Sequence, residues 1–143
     1  SRTTVRLLAQ AENVTLPIGP HLATVTPTAV AAAGHRRFRL TTELPTEYGE
    51  YWFGVFQQGS SPSRLVQVQM TRAWRGSGTG TLEIEIPDFA GVDGWDPTYG
   101  LREGAAVVWT LSAVGWSGGP GIPTNVRVPG FEYRSASRQG EVP

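Results

Sequence analysis

The feature that most constrains the fold is a strict alternation of apolar and polar residues in short segments. From Leu82 to Ile86, leucine and isoleucine alternate with glutamate, which is the period of two that places successive side chains on opposite faces of a β-strand. The same period occurs over Val66–Thr71. A longer strand is predicted over Ala106–Val114. It is apolar on one face and only half polar on the other, which favours a central position in its sheet.

Glycine and proline separate these segments. The chain has 18 glycines and 11 prolines, and they lie between runs rich in valine, threonine, leucine and aromatic residues, as is typical of strands joined by turns. The glycine-rich segment Arg75–Gly80 predicts a hairpin between Val66–Thr71 and the strand at 82–86. Further strands are predicted at Val5–Ala9, Arg37–Thr42, Tyr51–Phe56 and Asn125–Val128, and weaker ones at Val14–Leu16 and Leu22–Thr26.

No segment has the sustained apolar spacing of a helix, and Ala29–Ala33 is too short to form one alone. Eight or nine short strands without helices indicate an all-β fold, an antiparallel β-sandwich or barrel. The length of 143 residues fits a single domain. We expect this domain over residues 1–130, and a polar, strand-poor tail or connection over residues 131–143.

Composition excludes several kinds of function. The chain has no cysteine and no lysine, which excludes disulfides, thiolate metal sites, Schiff-base chemistry and the phosphate-binding P-loop. Twelve arginines balance twelve acidic residues, and this argues against a nucleic-acid or anionic-membrane partner. No apolar run is long enough to span a bilayer, and the first residues lack the apolar core of a signal peptide.

Two segments carry a family resemblance. Ala23–Leu44 combines a proline-interrupted strand, an alanine run, a glycine and an alternating strand, and it resembles the opening of bacterial immunoglobulin-like domains. Tyr99–Gly130 resembles the closing half of a fibronectin type III domain. The residues that carry the second likeness are Leu101, Gly104, Trp109, Leu111, Ala113, the turn Gly115–Gly121, Val126 and Val128. The resemblance implies an immunoglobulin-like or fibronectin type III-like sandwich used outside the cell, and it supplies no catalytic residue.

The candidate catalytic motifs are weak. Gly115–Gly119 matches the serine nucleophile elbow, but no helix can start at the following Gly-Pro-Gly and no histidine comes later in the chain. Glu83 and Glu85 share a solvated strand face, where nothing would raise a carboxyl pKa for acid catalysis, and the Glu47/Glu50 pair is read in the same way. We therefore predict that the protein is not an enzyme and has no cofactor.

Two charged clusters have simple explanations. Asp88, Asp93, Asp96 and Glu103 lie in one glycine-rich stretch, but their spacing matches no calcium loop and favours turns instead, so we predict no metal site. Arg37 and Arg39 are expected on one exposed strand face. Their simplest partners are acidic side chains, either Glu43 or those of the acidic strand at 82–86.

The aromatic residues offer a candidate binding surface. Trp52 lies beside a Glu/Gly turn, Trp95 and Tyr99 in an Asp/Gly-rich loop, and Trp116 in a predicted hairpin turn. Exposed tryptophan and tyrosine rings bind proteins or stack on sugars, whereas the alternative is that each ring covers an end of the core.

The leading functional hypothesis is a non-enzymatic, extracellular or cell-surface module. It would act by protein–protein contact, including self-association, as a structural or accessory subunit of an assembly. The alternative is a carbohydrate-binding module in which Trp95, Tyr99 and Trp116 stack on sugar rings and Asp93 or Asp96 binds hydroxyls. A jelly-roll structural protein also remains open, because strand count does not separate these topologies.

Overall fold

Strands make up most of the regular structure. The computed structural model describes residues 1–31, 35–59, 63–117 and 129–143. The helical segments in these ranges are the 3-10 turns Thr46–Tyr48 and Pro97–Tyr99 and the four-residue helix α1 (Arg72–Arg75). The eight strands are β1 (Arg2–Arg6), β2 (Thr26–Val30), β3 (Arg37–Leu44), β4 (Tyr51–Gln58), β5 (Arg64–Thr71), β6 (Gly80–Glu85), β7 (Val107–Trp116) and β8 (Glu132–Val142).

The strands form two antiparallel sheets. The larger sheet has the order β1-β8-β7-β4-β5, and the smaller sheet has the order β2-β3-β6. Fully buried side chains from both sheets form one core, among them Trp52, Leu111, Leu40 and Ile84. The sheets approach closely at Gly54, where an added Cβ would lie 2.9 Å from Ile84 Cγ2. The predicted all-β, antiparallel two-sheet architecture is therefore confirmed.

Two strands agree closely with the alternation. β7 lies between β8 and β4 in the larger sheet, as predicted for a central strand. In β6 the side chains of Leu82 and Ile84 are fully buried, whereas the Glu83 side chain is 54 % exposed. The period of two was sufficient here because one face of each strand packs against the opposite sheet. The predicted strand Asn125–Val128 lies outside the described residues.

The predicted hairpin around Arg75–Gly80 is wrong. β5 pairs with β4 and β6 pairs with β3, so the two strands belong to different sheets. After β5 the chain makes one helical turn, in which Thr71 Oγ1 accepts the Trp74 N–H at 3.3 Å. Gly76 ends the turn with φ = +79°, a conformation that glycine adopts without a Cβ penalty. The segment is a crossover between sheets, which lie about 10 Å apart in such folds.

The expectation of a strand-poor tail over residues 131–143 is also wrong. Glu132–Val142 form β8, which spans 11 residues and pairs with both β1 and β7. Serine, glutamine and arginine dominate this strand, so it has no apolar period to reveal it. Gly140 leaves room for the Trp109 ring, since an added Cβ would lie 2.5 Å from Trp109 Cζ2. β8 is paired along both of its sides, and Ala136 and Val142 are its residues in contact with the core.

Residues 17–25, here called the strap, connect β8 and β1 to the smaller sheet. Arg2 Nη1 donates to Gly19 O at 3.0 Å, and Arg138 Nε donates to Leu22 O at 2.7 Å. On the other side Thr42 Oγ1 donates to Ala23 O at 3.3 Å. The strap forms no strand ladder with either sheet. The weak strand predictions at Val14–Leu16 and Leu22–Thr26 are therefore wrong except at residue 26, where β2 begins. β1 also begins earlier than the predicted Val5–Ala9.

Candidate functional site

The predicted aromatic surface is only partly exposed. Trp52 is fully buried, and its Nε1 donates to Tyr48 O at 2.8 Å. It occupies an inward position of β4, on the same face as Gly54 and Phe56. Its assignment to a binding surface is therefore wrong.

Trp95 and Tyr99 lie together at one end of the sandwich. Their ring centroids are 6.0 Å apart, and the rings are nearly perpendicular at 79°. Trp95 also contacts Phe89 at 4.6 Å and His35 at 5.4 Å. The Tyr99 side chain is 65 % exposed, whereas Trp95 is half-buried. This pair offers one accessible ring edge and face rather than a flat platform.

Trp116 lies at the opposite end. It is the last residue of β7 and pairs with Tyr133 of β8, whereas the Trp95 cluster lies near the start of β7. There, an added Cβ on Gly100 would lie 2.6 Å from His35 Cβ, and Arg36 Nη1 donates to Ala105 O at 2.7 Å. β7 spans 10 residues, which is about 30 Å at the usual rise per residue. The structure therefore does not bring Trp116 together with Trp95 and Tyr99.

The charged cluster on β3 has an acidic partner on the neighbouring strand. Glu85 of β6 accepts from Arg37 Nη2 at 2.5 Å and from Arg39 Nε at 2.8 Å. Hydrogen bonding to Glu85, and then its charge, raise the pKa of the Arg39 guanidinium. The prediction that the acidic strand supplies the partner is confirmed. The Arg37 side chain, however, is only 9 % exposed, so its predicted exposure is wrong, because the carboxylates of Glu85 and Asp88 and two backbone carbonyls surround it.

The acidic residues considered for calcium are separated by other partners. Asp88 Oδ2 lies 3.3 Å from Arg37 Nη1. Asp96 Oδ1 accepts the Thr98 N–H at 2.7 Å, and this hydrogen bond lowers the pKa of the Asp96 carboxyl. Glu103 pairs with an arginine at 3.5 Å. In the described part of the chain, no three acidic or histidine side chains form a group that could hold a metal ion.

The most distinctive surface is the outer face of the larger sheet. Residues directly opposite in an antiparallel pair point to the same side, and the register therefore defines this face from the buried positions of β4 and β7. The face consists of Thr3 and Val5 on β1; Tyr133, Ser135, Ser137, Gln139 and Glu141 on β8; Val108, Thr110, Ser112, Val114 and Trp116 on β7; Tyr51, Phe53, Val55 and Gln57 on β4; and Leu65, Gln67, Gln69 and Thr71 on β5.

This outer face has almost no charge. Glu141, at one corner, is the only charged residue among these positions of the described strands. Aromatic and aliphatic side chains run along β4 and continue to Val114, which is buried, and to the half-buried Trp116 and Tyr133. Three aliphatic residues are prominently exposed: Leu65 at 59 %, Val108 at 46 % and Val5 at 53 %. The remainder is glutamine, serine and threonine.

The arginines of β1 and β8 lie on the opposite, inner side. Arg2, Arg6, Arg134 and Arg138 occupy the positions that alternate with the outer face. The guanidinium groups of Arg2 and Arg138 donate to backbone carbonyls of the strap, and that of Arg134 donates to the Glu132 carboxylate. β1 and β8 thus carry their arginines on the inner side of the sheet and, apart from Glu141, uncharged residues on the outer side.

Sequence reasoning missed this face. Its signal is the lack of charge at every second position of β1, β4, β5 and β7. This signal becomes visible only when the register of β8 is known, and the sequence did not predict that strand. Once that register is known, the pattern can be read directly from the printed residues.

Comparison with protein-family models, with curated proteins and with solved structures gave no match for this chain. Among the described residues, no helix has the length and apolar character needed to cross a membrane.

Proposed function

We propose that this protein is a non-enzymatic β-sandwich module that acts by protein–protein contact, as a structural or accessory subunit of a cell-surface or secreted assembly. The observation that carries the proposal is the outer face of the larger sheet, whose described strands carry charge only at Glu141. Placement outside the cell follows from the proposed immunoglobulin-like class alone.

The strand order supports that class. In immunoglobulin-type sandwiches, strands A, B and E share one sheet, and strands C, F and G share the other, with C′ added next to C in some members. Here β2, β3 and β6 take the positions of A, B and E. β4, β7 and β8 take those of C, F and G, and β5 takes that of C′. β1 is an additional strand on the edge of the larger sheet.

The composition of the outer face supports protein contact. Interface cores are depleted in charged residues and enriched in aromatic ones, and Tyr51, Phe53, Trp116 and Tyr133 lie on this face. A sheet face that meets only water tends to carry polar and charged residues, as the smaller sheet of this protein does. A contiguous apolar patch on an exposed sheet typically marks an interaction site.

The test compares two charge insertions. Gln67 and Gln139 are exposed residues of the outer face, and the double variant Gln67→Glu/Gln139→Glu adds two carboxylates there. The control, Thr28→Glu, adds one carboxylate to the exposed face of the smaller sheet, opposite Arg39. Each immobilised protein is exposed to an extract of its source, and retained proteins are quantified by mass spectrometry. We expect a partner that the unmodified protein and the control retain in equal amounts and the double variant loses. Equal retention by all three, or none by any, contradicts the proposal.

Carbohydrate binding is the second candidate, favoured by the exposed Tyr99 ring beside Trp95. The distance to Trp116 limits such a site to this pair. A glycan array with the unmodified protein, Tyr99→Ala and the double variant separates the two functions. Glycan binding that Tyr99→Ala abolishes and the double variant preserves would favour a sugar ligand.

A further inference from the structure

We propose that the outer face of the larger sheet binds the same face of a second copy of this chain, forming a symmetric dimer. The inference rests on the proposed function and names the partner.

The first argument is electrostatic. A two-fold interface places one surface patch against itself, so every charge on the patch is met by the same patch on the partner. Burying unpaired charges, or like charges together, opposes binding strongly. The outer face avoids both, because Glu141, the one charged residue at the outward positions of the described strands, lies at a corner, where it stays at the solvated rim.

The second argument concerns hydrogen bonding. Glutamine amides and serine or threonine hydroxyls both donate and accept, so identical side chains can pair with each other. Carboxylates accept only, and guanidinium groups donate only. The polar positions of the face, including Gln57, Gln67, Gln69, Ser112 and Gln139, are almost all of the kind that can pair with themselves.

The third argument is area. The larger sheet has five strands, which gives a width of about 24 Å at the usual strand spacing, and eight paired residues extend for about 27 Å. A face of up to about 650 Å², before the relief of its side chains is counted, is comparable in size with the roughly 800 Å² per partner of a standard stable interface. The aromatic residues along β4 and at the ends of β7 and β8 would supply the anchors.

Native mass decides the question. Light scattering and sedimentation equilibrium are performed on the whole chain up to about 100 μM, because interfaces of this size range from micromolar to picomolar affinity. We expect a species of twice the chain mass of 15.4 kDa. The variant Gln67→Glu/Gln139→Glu should weaken the dimer at least about 100-fold, since each carboxylate is buried without a partner. Thr28→Glu should leave it unchanged.

Circular dichroism and denaturant unfolding at low concentration confirm that each variant is folded. If the double variant does not fold, the single change Gln67→Glu on the edge strand β5 replaces it. A monomer at every concentration overturns the inference, and so does a dimer that the outer-face charges do not weaken. If a monomer still captures a different partner through the outer face, the proposed function holds and only the identity of the occupant is wrong.

Discussion

The two outer faces of the sandwich follow the same alternation and carry opposite chemistry. On the smaller sheet, Arg37, Arg39, Glu83 and Glu85 form a cross-strand network of ion pairs. On the larger sheet the equivalent positions are aromatic, aliphatic, amide or hydroxyl side chains, with charge only at the Glu141 corner of the described strands. The alternation of apolar and polar residues indicates which side chains face outwards, but not whether they face water or a partner.

The difference teaches that charge, more than hydrophobicity, distinguishes the two exteriors. The charged side chains on the smaller sheet form ion pairs with one another, so they do not require a binding partner and can stay in contact with water. The larger sheet places the arginines of β1 and β8 on its inner side. A chain that keeps charge away from one exposed face, and pairs it on the other, has one face suited to contact.

The largest effect on stability is expected from removing the Glu85 carboxylate, which Arg37 and Arg39 share on the smaller sheet. In Glu85→Gln, the nearly buried Arg37 guanidinium loses its closest charged partner. The free energy of unfolding should fall by about 1–3 kcal/mol, the range for charged hydrogen bonds that are partly buried. Denaturant unfolding, followed by tryptophan fluorescence, measures it.

The control for this prediction is Glu83→Gln. Glu83 lies 3.9 Å from Arg39 Nη1 and is 54 % exposed, so its loss should cost less than about 0.5 kcal/mol. Equal losses in both variants would show that the network is a surface feature without a buried member.

A smaller effect is expected from adding charge to each exterior. Val55 and Thr41 are both half-buried, β-branched residues in the interior of their sheets. Val55→Arg loses apolar contacts and meets no acidic neighbour, so it should cost about 1–2 kcal/mol. Thr41→Arg lies opposite Glu83 and should change stability by less than about 0.5 kcal/mol.

Denaturant unfolding of both variants is measured at low protein concentration, because dimerisation would add a concentration-dependent contribution to the free energy of unfolding. If Thr41→Arg is as costly as Val55→Arg, the two faces do not differ in their tolerance of charge, and the comparison fails.

The sequence predicted the strands whose two sides differ and failed where they do not. β6 and β7 were found because only one side of each is consistently apolar. In β4 both sides are apolar, since Tyr51, Phe53 and Val55 alternate with Trp52 and Phe56. Alternation therefore could not tell that Trp52 points inwards.

β8 escaped prediction for the opposite reason. Its inner side includes Arg138, which donates to a strap carbonyl, and its outer side is mostly serine and glutamine. Neither side has the apolar period that marks a strand. Pairing also could not be predicted from adjacent segments, because α1 and Gly76 redirect the chain from one sheet to the other. The candidate site depends on both features, so only its aromatic members could be suspected from sequence.

The smallest effect concerns the inner side of β1 and β8, where the arginines lie. His21, in the strap, has a lowered pKa, chiefly because of the Arg2 charge and then because of partial burial, Arg138 and the amino terminus. The folded protein therefore binds this proton less tightly than the unfolded chain, and protonation favours unfolding. The contribution of neutral His21 to the free energy of unfolding should be fully present above the ordinary histidine pKa of 6.5. It should decrease as the pH falls below that value. His21→Asn should remove this part of the pH dependence. Denaturant midpoints of the two proteins at about pH 7.5 and about pH 5.5, on either side of the histidine range, measure the difference.

A difference in midpoint between the two proteins that is the same at both pH values would contradict this prediction. It would mean that the arginines do not act on the strap through their charge, and that the carbonyl hydrogen bonds alone hold the inner side of β1 and β8.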